Sequence, residues 1–202
     1  PTDTVYGIGA LASDARAVAQ VLAAKGRGRQ MPPPVLVSDI CQLDGVVANI
    51  PAPARALMEA YWPGALTLIL PAHPDLSWDL GETGGTVAVR QPNYPLTLQL
   101  LSQTGPLAVT SANLTGQPPA TDAASARAAF PGRVRGVDAV GTEDILLLDG
   151  GATSGPVPST IVTLAGAHAH SPRILRKGVL SPADLERVAG VNVAEQTAQA
   201  TH

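Results

Sequence analysis

Three kinds of residue group in this chain could bind and activate a small anionic substrate. PTDTVYGIG, at 1–9, sets the hydroxyls of Thr2 and Thr4 on either side of the Asp3 carboxylate, ahead of a small apolar run. KGR, at 25–27, puts two cations two residues apart. Two apolar runs also end in small polar residues: PLAVT leads into Ser111-Ala112-Asn113-Leu114-Thr115-Gly116, and Ser159-Thr160 stand at the front of IVTL. Hydroxyls and amides at strand ends can hydrogen-bond a ligand while the sheet holds them still. Each stretch taken singly also reads as a turn or cap, and for Thr2 and Asp3 capping stays open.

The charges point to an anion. The net charge is −3, which argues against a nucleic-acid coat or a polybasic membrane binder. Three windows nevertheless lack any acid: 15–38 holds Arg16, Lys25, Arg27 and Arg29, 83–121 holds Arg90, and 150–183 holds Arg173, Arg176 and Lys177. A mildly acidic chain with three locally positive windows suits a protein that gathers an anion from several places.

Familiar chemistries are missing. No GxxxxGK[ST] forms a P-loop, and Gly7-Ile8-Gly9 is half a dinucleotide fingerprint with no good strand before it. The four histidines, His73, His168, His170 and His202, lack metal-ligand spacing, so no metal site is expected. No GxSxG elbow is present and no histidine is placed to activate a serine, which disfavours covalent nucleophilic catalysis. The single Cys41 excludes an internal disulfide framework and fits a reducing cytosol. No apolar run approaches a membrane span, so a cytoplasmic protein without membrane contact is expected.

These residues need elements to hold them. Helices are expected from Ser13-Asp14 to Ala24, over 53–61 and 95–102, and from the Ser181 cap to about Val188. Strands are expected at 35–37, 65–70, 86–90, 106–110, 145–148, 159–164 and 173–175. Short strands mixed with helices, out of strict alternation, predict an α/β fold with a sheet of mixed direction. One domain over 1–189, followed by a frayed polar tail over 190–202, completes the expected organisation.

In order and spacing, PTDTVYGIG, AAKGRGR, WPGALTLIL, TVAVRQP, TSANLTGQPPAT, PSTIV and ILRKG resemble the YrdC-like family, the threonylcarbamoyl-AMP synthases. The resemblance covers 1 to about 188. It implies a twisted mixed sheet with flanking helices and a concave, positively charged cavity. It also implies an enzyme that makes threonylcarbamoyl-AMP and pyrophosphate from L-threonine, bicarbonate or CO2, and ATP, with Mg²⁺ carried by the nucleotide. The product would pass to the transferase machinery of tRNA t6A modification, and a weak tRNA contact stays open.

Position by position, the resemblance implies that Thr4, Arg90, Ser111 and Ser159 meet threonine. Lys25, Arg27, Thr86, Asn113, Thr121 and Arg176 would meet ATP, with Lys25 and Arg27 as the pair at the phosphates. The chain departs from the family pattern in places. Gly28 follows KGR where the family has proline, Met31 stands where it has an amide or a lysine, and LRKG replaces LRPG. Family members also carry a helix and a strand ahead of PTDT, so the numbered chain is expected to lack one strand of the sheet.

Three rival readings remain. The carbamoyl-transfer domain of hydrogenase maturation proteins is similar, but its zinc-finger neighbours need more than one cysteine. A non-catalytic RNA-binding module would need more than one phenylalanine and two tryptophans for stacking. A paralogue that binds nucleotide without turnover is kept open by Gly28 and Met31.

Overall fold

The computed structural model describes residues 1–135 and 144–195. Ten strands and five α-helices occur among them. The strands are β1 (Gly7–Leu11), β2 (Val35–Leu36), β3 (Leu66–Pro71), β4 (Thr86–Arg90), β5 (Leu107–Ser111), β6 (Val134–Arg135), β7 (Ile145–Leu146), β8 (Thr160–Thr163), β9 (Arg173–Arg176) and β10 (Ala194–Glu195). The helices are α1 (Ala15–Ala24), α2 (Ala52–Tyr61), α3 (Pro95–Thr104), α4 (Ala123–Ala129) and α5 (Pro182–Ala189). The main sheet runs β1-β5-β2-β4-β3-β8-β9-β10, and β6 pairs with β7 apart from it. Parallel pairs (β2–β4, β3–β8, β9–β10) occur beside antiparallel ones (β1–β5, β2–β5, β3–β4, β8–β9), so the sheet is mixed, as expected.

Strand alternation gives the sheet two chemically different faces. Residues directly opposite one another share a face. The pairs Val35↔Ala108, Val35↔Val89, Leu68↔Val89, Leu68↔Val162 and Val162↔Ile174 therefore define one apolar face, and all of these side chains are buried. Val18 of α1, Leu57 and Met58 of α2, and Leu185 of α5 pack into this core. The intervening residues Thr67 and Arg90 face the other way.

Local chemistry accounts for the helix boundaries. Asp14 caps α1 by accepting from the Ala17 amide at 3.0 Å, and Val18, Val21 and Leu22 form its buried stripe. Gly26, at φ +62°, lets the chain turn away immediately after it. Ser181 caps α5, and Gly190 closes it in the left-handed conformation.

Four features differ from the sequence expectation. No strand was expected at 7–11, where β1 forms one edge of the sheet. A Cβ on Gly7 or Gly9 would lie 2.4 Å or 2.6 Å from the Val109 side chain, so glycine is what lets this strand approach. Helix α4 was not expected, because its alanines carry no apolar stripe; an Asp122–Ser125 capping box starts it. The tail from 190 begins with ordered structure: Val193 is buried in the core and β10 pairs with β9. Residues 196–202 of that expected tail lie outside the described residues, and the expected strand at 145–148 extends only over 145–146.

Candidate active site

The opening stretch is built around Arg90, at the end of β4. Its guanidinium is buried; Nε donates to the Gly64 carbonyl at 2.8 Å, Nη1 to the Thr4 hydroxyl at 3.1 Å and Nη2 to the Asp3 carboxylate at 2.6 Å. Asp3 also accepts from the Asn93 amide at 3.0 Å, so its carboxylate is held as a counterion. Thr2 closes the turn: its hydroxyl donates to the Val5 carbonyl and accepts from the Thr4 and Val5 amides. The capping reading is thus correct for Thr2, whereas Asp3 neutralises Arg90.

A second group lies across the same face. Thr67 of β3 and Ser159, just ahead of β8, share a hydrogen bond of 2.8 Å between hydroxyls. Arg176 Nη2 donates to the Ser159 hydroxyl at 3.0 Å and to its carbonyl at 2.8 Å. A β-bulge makes this contact. Val162 pairs with Ile174 but Ile161 pairs with Arg176, leaving Leu175 as the extra residue. With regular pairing Arg176 would share the apolar face with Ile174; the bulge turns the guanidinium toward Ser159 instead.

The third group hangs from the end of α1. Lys25 is buried, and its ammonium donates to the carbonyl of Ser111, to the Asn113 carbonyl at 2.6 Å and to Asn113 Oδ1 at 3.3 Å. Arg27 Nη1 donates to the Thr110 hydroxyl at 3.1 Å, while its buried Nε has no hydrogen-bond partner among the described residues. A buried donor left open at the edge of a cation cluster is suited to an arriving oxyanion.

The Sua5/YciO/YrdC profile, described as telomere recombination, matches residues 1–178. The chain belongs to this family. A protein of Mycobacterium tuberculosis (strain ATCC 25618 / H37Rv) is 46% identical over 194 residues, spanning 96% of this chain and 83% of that one. The threonylcarbamoyl-AMP synthase of Bacillus subtilis (strain 168) is 40% identical over 192 residues, covering 94% of this chain and 52% of its own. In three dimensions, the crystal structure of Pyrococcus abyssi Sua5 complexed with L-threonine superposes with a TM-score of 0.83 at 34% identity. The match spans 96% of this chain and 54% of that one.

Electrostatics tie the three groups of this family member together. Burial lowers the Arg27 pKa and, first among its causes, that of Arg176, which Arg90 and Arg27 then push down further by charge repulsion. Burial lowers Arg90 as well, against the opposing pull of Asp3. Lys25 is lowered to about 8, first by burial and then by Arg27. Several cations held close together with Asp3 as the acid on Arg90 leave a site short of negative charge.

The expected residues divide accordingly. Thr4 meets Arg90; Lys25 meets Ser111 and Asn113; Ser159 meets Arg176. Thr86 opens β4 with its hydroxyl turned to the Thr83 carbonyl at 2.8 Å, and Thr121 accepts from Thr153 through its carbonyl. Neither side chain makes a described contact with the cation groups. Thr67 and Thr110 were not singled out from the sequence. The signal was available for Thr67, a lone hydroxyl inside the apolar run ALTLIL. An apolar cavity of about 410 Å³ lies elsewhere, toward the β1 edge, lined by Gly9, Leu36, Leu101 and Val109 among others, and none of the four cations lines it.

Proposed function

We propose that this chain joins L-threonine, bicarbonate or CO2, and ATP into threonylcarbamoyl-AMP with release of pyrophosphate, for tRNA t6A modification. One arrangement carries the reading: Arg176, held on Ser159, sits close enough both to Arg90, held on Thr4, and to Arg27 for their charges to interact. An amino acid and a polyphosphate can be held side by side there.

Arg90 grips the threonine carboxylate with the guanidinium donors it does not spend on Thr4, Asp3 and Gly64, and Thr4, Ser111 and Ser159 supply hydroxyls around the amino acid. Arg27 and Arg176 face the phosphates, and Lys25, Thr86, Asn113 and Thr121 lie on the nucleotide side. The amine nitrogen bonds to the carbon of CO2 and gives up a proton, forming a carbamate. A carbamate oxygen then bonds to the α-phosphorus as the bond to the pyrophosphate oxygen breaks. Such a transfer asks the protein for positioning and charge neutralisation rather than for a nucleophile.

Among the described residues, no cluster of three or more His, Cys, Asp or Glu could hold a metal ion. Asp3, the acid in contact with Arg90, is already spent on it. Mg²⁺ therefore belongs with the nucleotide phosphates, where it would neutralise charge. No helix among the described residues is long and apolar enough to cross a membrane. The tRNA-directed role places the enzyme in the cytoplasm, with the t6A transferase machinery as the consumer of its product and at most a weak contact with tRNA.

The decisive assay is pyrophosphate release from ATP and bicarbonate, with and without L-threonine, with L-serine and Arg27→Ala as controls. Threonine-dependent release, lost on the order of 10²-fold in the variant, is expected. ATP binding without release would favour the paralogue that binds but does not turn over. Met31, one of the departures behind that alternative, is exposed, and its side chain makes no described hydrogen bond.

A further inference from the structure

We propose that Lys25 is a positioning residue: its ammonium shapes the loop at 111–117, and the nucleotide phosphates are met by Arg27 and Arg176. The proposal rests on the synthase reading of this site and refines its division of labour. An ammonium has three protons to give. Here they face three oxygens, the Ser111 carbonyl, the Asn113 carbonyl at 2.6 Å and Asn113 Oδ1 at 3.3 Å, with the Ser111 hydroxyl at 3.5 Å beside them.

The loop is tied to Lys25 from the other side as well. The Thr115 amide and hydroxyl donate to the Lys25 carbonyl at 3.2 Å and 3.0 Å. The Asn113 amide is fully engaged: Oδ1 accepts from Lys25, and Nδ2 donates to the Leu114 carbonyl at 2.9 Å and the Gln117 carbonyl at 2.7 Å. Turning Nζ toward a phosphate would strip donors from carbonyls that have little access to water, and that carries a desolvation penalty. Arg27 bears no such penalty, because its buried Nε has no partner to lose. Lys25 and Asn113 thus form one saturated network that fixes where the Ser111 hydroxyl stands, while the open donor belongs to Arg27.

The test compares Lys25→Met, Lys25→Arg, Asn113→Ala, Arg27→Met and the Lys25→Met/Asn113→Ala double variant. Affinities for ATP and for adenosine are measured beside hydrogen exchange at 111–117 and threonine-dependent pyrophosphate release. For a positioning role, Lys25→Met lowers ATP and adenosine affinity by factors within about threefold of each other, and speeds exchange at 111–117. It also lowers kcat on the order of 10²-fold. Lys25→Arg does not recover activity, because a planar guanidinium cannot replace a compact ammonium among these oxygens. The double variant is no worse than the poorer single one.

Arg27→Met, in contrast, loses ATP affinity at least tenfold more than adenosine affinity. A loss selective for ATP in Lys25→Met, recovery in Lys25→Arg, or additive effects in the double variant would overturn the proposal. Asn113→Ala probes the same loop with Lys25 intact, so the test survives a Lys25 variant that does not fold. Absence of pyrophosphate release by the wild-type protein would sink the synthase reading alone, since exchange and binding still decide what Lys25 does.

Discussion

Lys25 is buried with a pKa lowered to about 8 from 10.5, and it lies beside Arg27, which the proposed function sets at the nucleotide phosphates. Burial and the neighbouring guanidinium both disfavour its charged form, and bound phosphates nearby favour it. ATP binding therefore raises this pKa. At pH 8, where the free protein holds Lys25 roughly half protonated, binding should take up about half a proton. At pH 6.5 Lys25 is already charged and uptake through it should vanish. Calorimetry in buffers of different ionisation enthalpy measures both values, and equal uptake at the two pH values would contradict the assignment. For Arg90, Arg90→Lys should raise the threonine KM on the order of tenfold or more while leaving ATP affinity within about threefold, because a lysine cannot serve Gly64, Thr4, Asp3 and a carboxylate together. Steady-state kinetics with each substrate varied checks this.

Two elements hold the site by backbone geometry rather than by side-chain type. The bulge at Leu175 puts Arg176 on the Ser159 side of the sheet. Deleting Leu175 should straighten the ladder and leave Arg176 opposite Ile161, still on the Ser159 side. Pyrophosphate release should then stay well above that of Arg176→Ala, which should lose it on the order of 10²-fold. Gly178 acts by close approach: a Cβ there would lie 2.4 Å from the Pro158 carbonyl oxygen and from the backbone at Ser159 and Thr160. Gly178→Ala should destabilise the fold by about 1–3 kcal/mol by denaturant melts. It should also lower kcat by moving Ser159. These elements differed in how far the sequence revealed them. Helices α1, α2, α3 and α5 were legible because caps, prolines and apolar spacing agree. Helix α4 was not, because an alanine-rich segment has no stripe, and β1 was not, because Gly7 and Gly9 weaken a strand pattern until Val109 is seen against them.

The whole molecule carries a net charge of −3, yet its candidate site gathers Lys25, Arg27, Arg90 and Arg176, so the proposed attraction for ATP is local. The ATP KM should rise several-fold between about 50 mM and about 500 mM salt as screening shortens the reach of those charges. The C-terminal segment belongs to the same body. Ending the chain at Gly190 removes buried Val193 and strand β10, and should lower stability by about 1.5–3 kcal/mol in denaturant melts with activity retained. The sequence by itself determined the mixed α/β class, the family, and the short stretches that hold the candidate residues, because these depend on local pattern and on the order of motifs along the chain. Only the tertiary structure decided that Asp3 is the counterion of Arg90, that Thr67 supports Ser159 and that a bulge aims Arg176. It likewise decided that Lys25 spends its protons on the Ser111–Asn113 segment while Arg27 keeps a donor open. Those facts depend on pairing register and on which groups meet across long stretches of chain, and residue types alone do not encode where a proton is already spent.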